Sequence, residues 1–311
     1  MEITRVFLNS RYDLSKIVKQ ITINSKLKWI ITKDPQDCDY FISFDSINIG
    51  VKRKNIKYIL IRNEPKIILP ECYKKKNLKR FDKIIDIGKP DNIATFSINS
   101  VQNLEIFINN QSRFSNKAVM INSNLFSLRS GELYSLRRKV LYKTDIIDLY
   151  GFGWDKNLSS KFKVLLVELR NLLTYTSAIK LKGQFDYFKK YNSNGPVKDK
   201  YKILTNYRFA LIIENSMTYV SEKIFDALVT GCIPIYVGID LEQFMLPDFL
   251  YIKAEPNIES IKDAFKFAQT INYEEWQAKC KNWLESKEVN ETWSIKFFLL
   301  DLKKAIENQV N

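Results

Sequence analysis

The chain contains no histidine. That zero excludes Ser-His-Asp and Cys-His triads, zincin motifs, histidine-ligated haem and any imidazole base, so proton transfer must fall to other side chains. Cysteine is scarce. Cys38, Cys72, Cys232 and Cys280 are widely separated, form no CxxC pair and are too few to staple 311 residues, which points to a reducing cytoplasm. Long apolar runs are missing as well. The start, MEITRVFLNSRYDLSK, turns polar after a short apolar stretch, and no segment approaches the roughly 18 apolar residues of a membrane span, so the expectation is a soluble chain, peripheral to a membrane at most. No repeat of fixed period and no low-complexity block occurs.

What is present is ordinary globular composition, with 45% hydrophobic, 13% aromatic and 27% charged residues. A length of 311 residues suggests two domains. Lys and Arg number 49 against 35 Asp and Glu, a net charge of +14 that favours an anionic partner. Nucleic acid, an anionic membrane and a nucleotide-activated substrate all fit that sign. The abundance of Ile, Lys and Asn points to a biased genome as a source of part of the charge.

Short apolar runs alternate with amphipathic stretches, the pattern of an α/β protein. Strands are predicted over 4–8, 28–32, 39–44, 57–62 and 83–87, with helices over 14–21 and 101–110. The polar, aperiodic NNQSRFSNK (109–117) marks a domain boundary, giving an N-terminal domain of 1–114 and a C-terminal one of 115–311. The second series has strands over 118–122, 146–150, 209–213 and 232–237. Its helices are predicted over 132–142, 162–173 and 221–230, and at the end over 257–270, 273–286 and 291–308.

The unit FALIIENSMTYVSEKIFDALVTGCIPIYVG (209–238) reads as a βαβ crossover: a buried parallel strand, a loop, a helix N-capped by Ser221 and stopped at Gly231, and a second strand. Its loop lies at the carboxyl end of the strand, where open α/β sheets bind ligands. Glu214, Asn215, Tyr219, Glu222 and Lys223 crowd there. A cation in the first helical turn opposes the macrodipole at a cost of roughly 0.3–1 kcal/mol, and a bound anion reverses that sign. Helix-start N–H groups plus the Lys223 ammonium make a pyrophosphate site, with Glu222 free to accept from ribose hydroxyls. The competing reading is an exposed Glu-Lys pair at an ordinary helix start, with Asn215 and Tyr219 as turn and core residues.

The stretch NYRFALIIENSMTYVSEKIFDALVTGCIPIYVG (206–238), with INSN (121–124) and IIDLYGFGW (146–154) before it, resembles the signature of the α1,3-fucosyltransferases, glycosyltransferase family 10. The resemblance covers about 120–255. It implies a GT-B-type α/β protein, two Rossmann-like domains facing a cleft, that transfers L-fucose with inversion from GDP-β-L-fucose to a glycan hydroxyl without a metal or other cofactor. On matching positions it implies donor contacts from Glu222, Lys223, Asn215 and Tyr219, with Glu214, Ser123 and Asn124 in the same elements. The resemblance also implies an arginine after the Ser-Asn element that neutralises the diphosphate; Arg137 and Arg129 are the candidates, with Arg138 beside them, and a solvent-facing basic helix is the alternative.

Without histidine, the catalytic base of an inverting transfer is naturally Asp or Glu. Glu64 in IRNEP (61–65) ends a predicted strand before a proline that biases it to extended backbone, and the segment resembles the family's Glu-Pro element. Asp37-Cys38-Asp39 has the form of a metal-binding DxD but precedes a strand instead of ending one. KKKNLKR (74–80) suits phosphate or an anionic membrane, or a solvated loop. No basic segment carries the interleaved aromatics of a nucleic-acid binder. The alternatives that stay open are a GT-B transferase for another GDP-sugar and a non-catalytic basic module that binds glycan or membrane.

Overall fold

The computed structural model describes residues 3–11, 13–86, 106–108, 112–172, 182–244 and 246–307. The chain divides into two compact units, one of Met1–Leu104 with Glu285–Asn311 and one of Glu105–Leu284. The sequence reading drew one boundary after residue 114 and kept the C-terminal helices with the second half. Each unit is described by itself.

The first unit runs β1 (Thr4–Ser10), α1 (Ser15–Ile23), β2 (Trp29–Ile31), β3 (Tyr40–Phe44), β4 (Lys57–Arg62), α2 (Lys75–Leu78) and β5 (Lys83–Asp86). Its strands form one parallel sheet in the order β2-β1-β3-β4-β5. The helix predicted over 101–110 lies largely outside the described residues. The second unit holds β6 (Phe114–Ile121), α3 (Tyr134–Lys143), β7 (Ile147–Tyr150), α4 (Leu158–Leu172), α5 (Lys200–Leu204), β8 (Tyr207–Ile213), α6 (Lys223–Val229), β9 (Ile233–Val237), β10 (Ile252–Lys253), α7 (Ile258–Thr270) and α8 (Tyr273–Leu284). Its parallel sheet has the order β10-β9-β8-β6-β7. In both sheets the first strand in chain order separates the second from the third, so the direction of winding reverses between β1 and β3 and between β6 and β8.

Why these runs become central strands is visible in burial: β9 is buried along its whole length and β8 at every position but Arg208, as strands covered on both faces must be. α6 ends where Gly231 adopts φ +76°, a conformation that favours glycine. The predicted terminal helix over 291–308 is two, α9 (Lys287–Trp293) and α10 (Ile295–Glu307), separated by extended Ser294. α10 buries Phe298, Leu299, Leu302 and Ile306 in one core with Val6, Ile17, Ile42, Ile59 and Ile85 of the first sheet. That apolar stripe explains why the chain end returns to the first unit. All four cysteines are free and buried. Among the described residues no helix is long and apolar enough to cross a membrane.

Candidate active site

β6 and β8 pair only as far as Val119↔Ala210, whereas β8 and β9 stay paired to Ile213↔Val237. The carboxyl ends of β6 and β8 therefore part at the reversal of winding, where doubly wound sheets bind ligands. A cavity of about 430 Å³ occupies this crevice. Ile121, Asn122 and Ser123 line it from the end of β6, Asn215 from the end of β8, Arg137 from α3, Lys200 from α5, Glu222 from the residue before α6, and Lys223 and Asp226 from α6. Gly151, at the end of β7, lets two loops touch: a Cβ there would stand 2.0 Å from the Asn122 carbonyl oxygen.

The loop before α6 is held from within. Glu214, fully buried, accepts from the Ser221 N–H at 2.8 Å and from its hydroxyl at 2.7 Å. Lys223 Nζ donates to that hydroxyl at 2.8 Å and stands 3.8 Å from Glu214 Oε2. Ser221 is thus a bridge between Glu214 and Lys223, not the N-cap expected: α6 begins at Lys223 and no side chain caps it. Burial raises the Glu214 carboxyl above its usual range, against the pull of Lys223 and Ser221. For Glu222, burial also pushes upward, but the ammoniums of Lys223 and Lys200 outweigh it and hold the group below that range.

The arginines separate. Arg137 is buried and donates through Nε and Nη2 to the Ile213 carbonyl and through Nη2 to Asn215 Oδ1 at 2.9 Å. Burial pushes it down to about 10. Arg138 is buried on a different set, the Leu125 carbonyl and Gln184. Arg129 is paired with Glu168 of α4 at 4.0 Å and stands outside the cavity lining. No member of this cluster faces solvent, so the basic-helix alternative does not describe it. Asn124 ties the loops after β6 and β7 together, its N–H on the Phe152 carbonyl at 2.9 Å. Glu214, Tyr219 and Asn124 are buried and support the site without lining it, while Ser123, Asn215, Glu222, Lys223 and Arg137 line it directly.

Two charged lining residues, Lys200 and Asp226, escaped the sequence reading. Lys200 Nζ lies 2.6 Å from Asp226 Oδ2, and the Tyr201 hydroxyl also bonds Asp226. Burial pushes the Asp226 carboxyl up to about 6. Lys200, less deeply placed, is raised because Asp226 and Glu222 more than offset its desolvation. The available signal was Asp199, whose carboxylate caps α5 by accepting from the N–H groups of Tyr201 and Lys202.

Glu64 belongs to the first unit, just beyond β4. Its N–H and that of Asn63 donate to Asp45 Oδ1 at 3.2 and 2.8 Å, and its carbonyl accepts from the Tyr73 hydroxyl at 2.9 Å. Asp45 is fully buried with φ +50° and follows β3. Glu64 is therefore fixed at the carboxyl edge of the first sheet. Asp37 and Asp39 bond Arg5 before β3, at the opposite edge.

No family model matches the chain. A fucosyltransferase-like protein of Arabidopsis thaliana is 37% identical over 81 residues, 24% of this chain and 16% of that protein. The GDP-fucose protein O-fucosyltransferase 3 of Danio rerio is 31% identical over 96 residues, 30% of this chain and 21% of the relative. The matched stretches thus span a fifth or so of these curated relatives. Among solved structures, an α1,3-fucosyltransferase with GDP-fucose superposes with a TM-score of 0.51 at 14% identity, over 99% of this chain and 91% of that one. Anabaena HepE in complex with UDP and glucose gives 0.56 at 8% identity, over 99% and 100%. The chain resembles the α1,3-fucosyltransferases and has the α/β, GT-B-type fold that these glycosyltransferases share.

Proposed function

We propose that the chain is an inverting glycosyltransferase that moves L-fucose from GDP-β-L-fucose to a hydroxyl of a glycan acceptor. The observation that carries this reading is the convergence of Lys223, Glu222, Asn215, Arg137 and Ser123 on one cavity at the parting of β6 and β8. Two cations and a helix start suit a diphosphate, and Glu222 suits the ribose hydroxyls. The partial matches to fucosyltransferase-like and GDP-fucose-dependent proteins favour this donor.

In this reaction Glu64 takes the proton of the acceptor hydroxyl, whose oxygen attacks C1 of fucose from the face opposite GDP. The C1–O bond to the β-phosphate breaks, its electron pair leaves with GDP, and the configuration at C1 changes from β to α. Lys223 and Arg137 stabilise the charge that builds on the diphosphate, so no metal is needed. The test is mass spectrometry of products from GDP-fucose and, as control, GDP-mannose, with a panel of glycan acceptors. Transfer from GDP-fucose that survives EDTA and disappears in Glu64→Ala, with GDP affinity kept, is the expected result. Full activity of Glu64→Ala would remove Glu64 as the base, and transfer from GDP-mannose alone would replace the sugar.

A further inference from the structure

Asp226 and Lys200 stand in the cavity wall but take no part in the contacts assigned above. Asp226 lies three residues beyond Lys223 on α6, about 4.5 Å further along the axis. Its side chain is 6% exposed, against 34% for that of Lys200. A buried ion pair returns little net stability, because desolvation offsets the attraction. Its place in the wall of a ligand cavity suggests that it is kept for the ligand.

Polar groups line the cavity from the start of α6 to its second turn. Lys223 reaches Ser221 and Glu214 at the loop. Glu222 and Asp226, four residues apart, share a helix face, and Lys200 acts on both. The same cavity has apolar lining from Val119, Val197, Leu204 and Leu211. A cation and a carboxylate at the helix start, with a hydrogen-bonding pair about one turn further on, suit a diphosphate, a ribose and a base.

We propose that the Lys200–Asp226 pair reads the base of the nucleoside diphosphate and selects guanine. This rests on the reading of the cavity as the donor site. Guanine presents, side by side, the acceptor O6 and the donors N1–H and N2–H2. An ammonium beside a two-oxygen carboxylate is the complement of that row. Uracil presents O4, N3–H and O2, so its last acceptor would face a carboxylate oxygen with no proton between them. Hypoxanthine keeps O6 and N1–H but lacks the amine. Tyr201 and Lys200 hold the carboxylate in place, so it cannot turn to suit a wrong base.

Calorimetry with GDP, IDP, UDP and CDP on the whole chain tests the pair. Wild type is expected to bind GDP about tenfold more tightly than IDP and about a hundredfold more tightly than UDP, since each mismatch leaves a buried polar group unpaired. Asp226→Asn turns one acceptor into an amide donor. It should bring GDP to within about threefold of IDP and raise the affinity for UDP relative to GDP. Lys200→Met, on the more exposed partner, should weaken GDP, IDP and UDP alike, through O6 or O4, but not CDP, which offers its N4 amine at that place, so the GDP-to-CDP ratio should fall about tenfold and decides the matter if Asp226→Asn shows no cooperative melting. In variants that melt cooperatively, GDP-to-IDP and GDP-to-UDP ratios unchanged in Asp226→Asn, or a GDP-to-CDP ratio unchanged in Lys200→Met, would overturn the proposal while leaving the donor site standing. Wild type that binds none of the four would overturn the donor site, and this inference with it.

Discussion

Two N–H groups of Arg137 converge on one oxygen, the carbonyl of Ile213 at the end of β8, at 3.1 and 2.6 Å. Among the described residues no carboxylate pairs with this guanidinium. Its charge is thereby pinned in the cavity wall by a backbone group and left available to an anion.

Arg137→Lys replaces this fork with a single ammonium. A loss of about 2 kcal/mol and a fall in melting temperature of roughly 5 °C are expected, with GDP binding at least about tenfold weaker by calorimetry. Arg129→Lys, outside the cavity, should leave GDP affinity within about twofold.

Lys223→Met should weaken GDP roughly ten- to a hundredfold while the melting temperature stays within a few degrees. Ser221→Ala, which removes the hydroxyl between Glu214 and Lys223, should produce a smaller loss of the same kind. Unchanged affinity in Lys223→Met would take that lysine out of the diphosphate site.

The Asp226 carboxyl is pushed by burial from the usual 3.8 to about 6. Lys200 and Tyr201 face it from α5, with Lys223 on its own helix and Glu222 just before that helix. A raised folded-state value means that the group's stabilising contribution is complete below about pH 4 and is lost as pH rises through 6, on the order of 2–3 kcal/mol. Denaturant titrations of wild type and Asp226→Asn should therefore show the variant gaining relative stability between pH 4 and pH 7. GDP affinity of wild type should move the other way, rising as the carboxylate ionises through pH 6.

Gly151→Ala places a Cβ against the Asn122 carbonyl in a backbone conformation of φ +134°. The strain should cost several kcal/mol and abolish GDP binding, because the loops after β6 and β7 line the cavity. A variant with wild-type GDP affinity would show that these loops can separate without harm to the site.

Leu299→Ala opens a void under α10 in the core of the first unit. Its unfolding midpoint in guanidinium should fall by the equivalent of about 2–5 kcal/mol, with GDP affinity unchanged. Equal loss of GDP binding would mean that α10 supports the second unit too.

Much of the fold is legible in the residues themselves. FALII and CIPIYV are apolar without interruption, which only a strand covered on both faces tolerates, and GCIP after the helix places its stop at Gly231. The loop ENSMTYVSEK was likewise readable as a loop at the carboxyl end of a buried strand, and Asn215, Glu222 and Lys223 line the cavity from it. Ser221 was misread because Ser before a helix usually caps it; here a buried Glu214 competes for the hydroxyl. α5 escaped because five residues are too few to show a period, and with it went Lys200.

The sequence by itself determined the α/β class, the carboxyl-end position of the 214–223 loop, and the need for non-histidine chemistry. Each of these depends on local pattern or on composition. Tertiary structure alone decided that Arg137 lines the cavity while Arg138 and Arg129 do not, that α10 belongs with β1 and not with α8, and that Lys200 meets Asp226. Those outcomes depend on which surfaces meet across 26 to several hundred residues of chain. Hydrophobic periodicity says which face of an element is buried, but not against what.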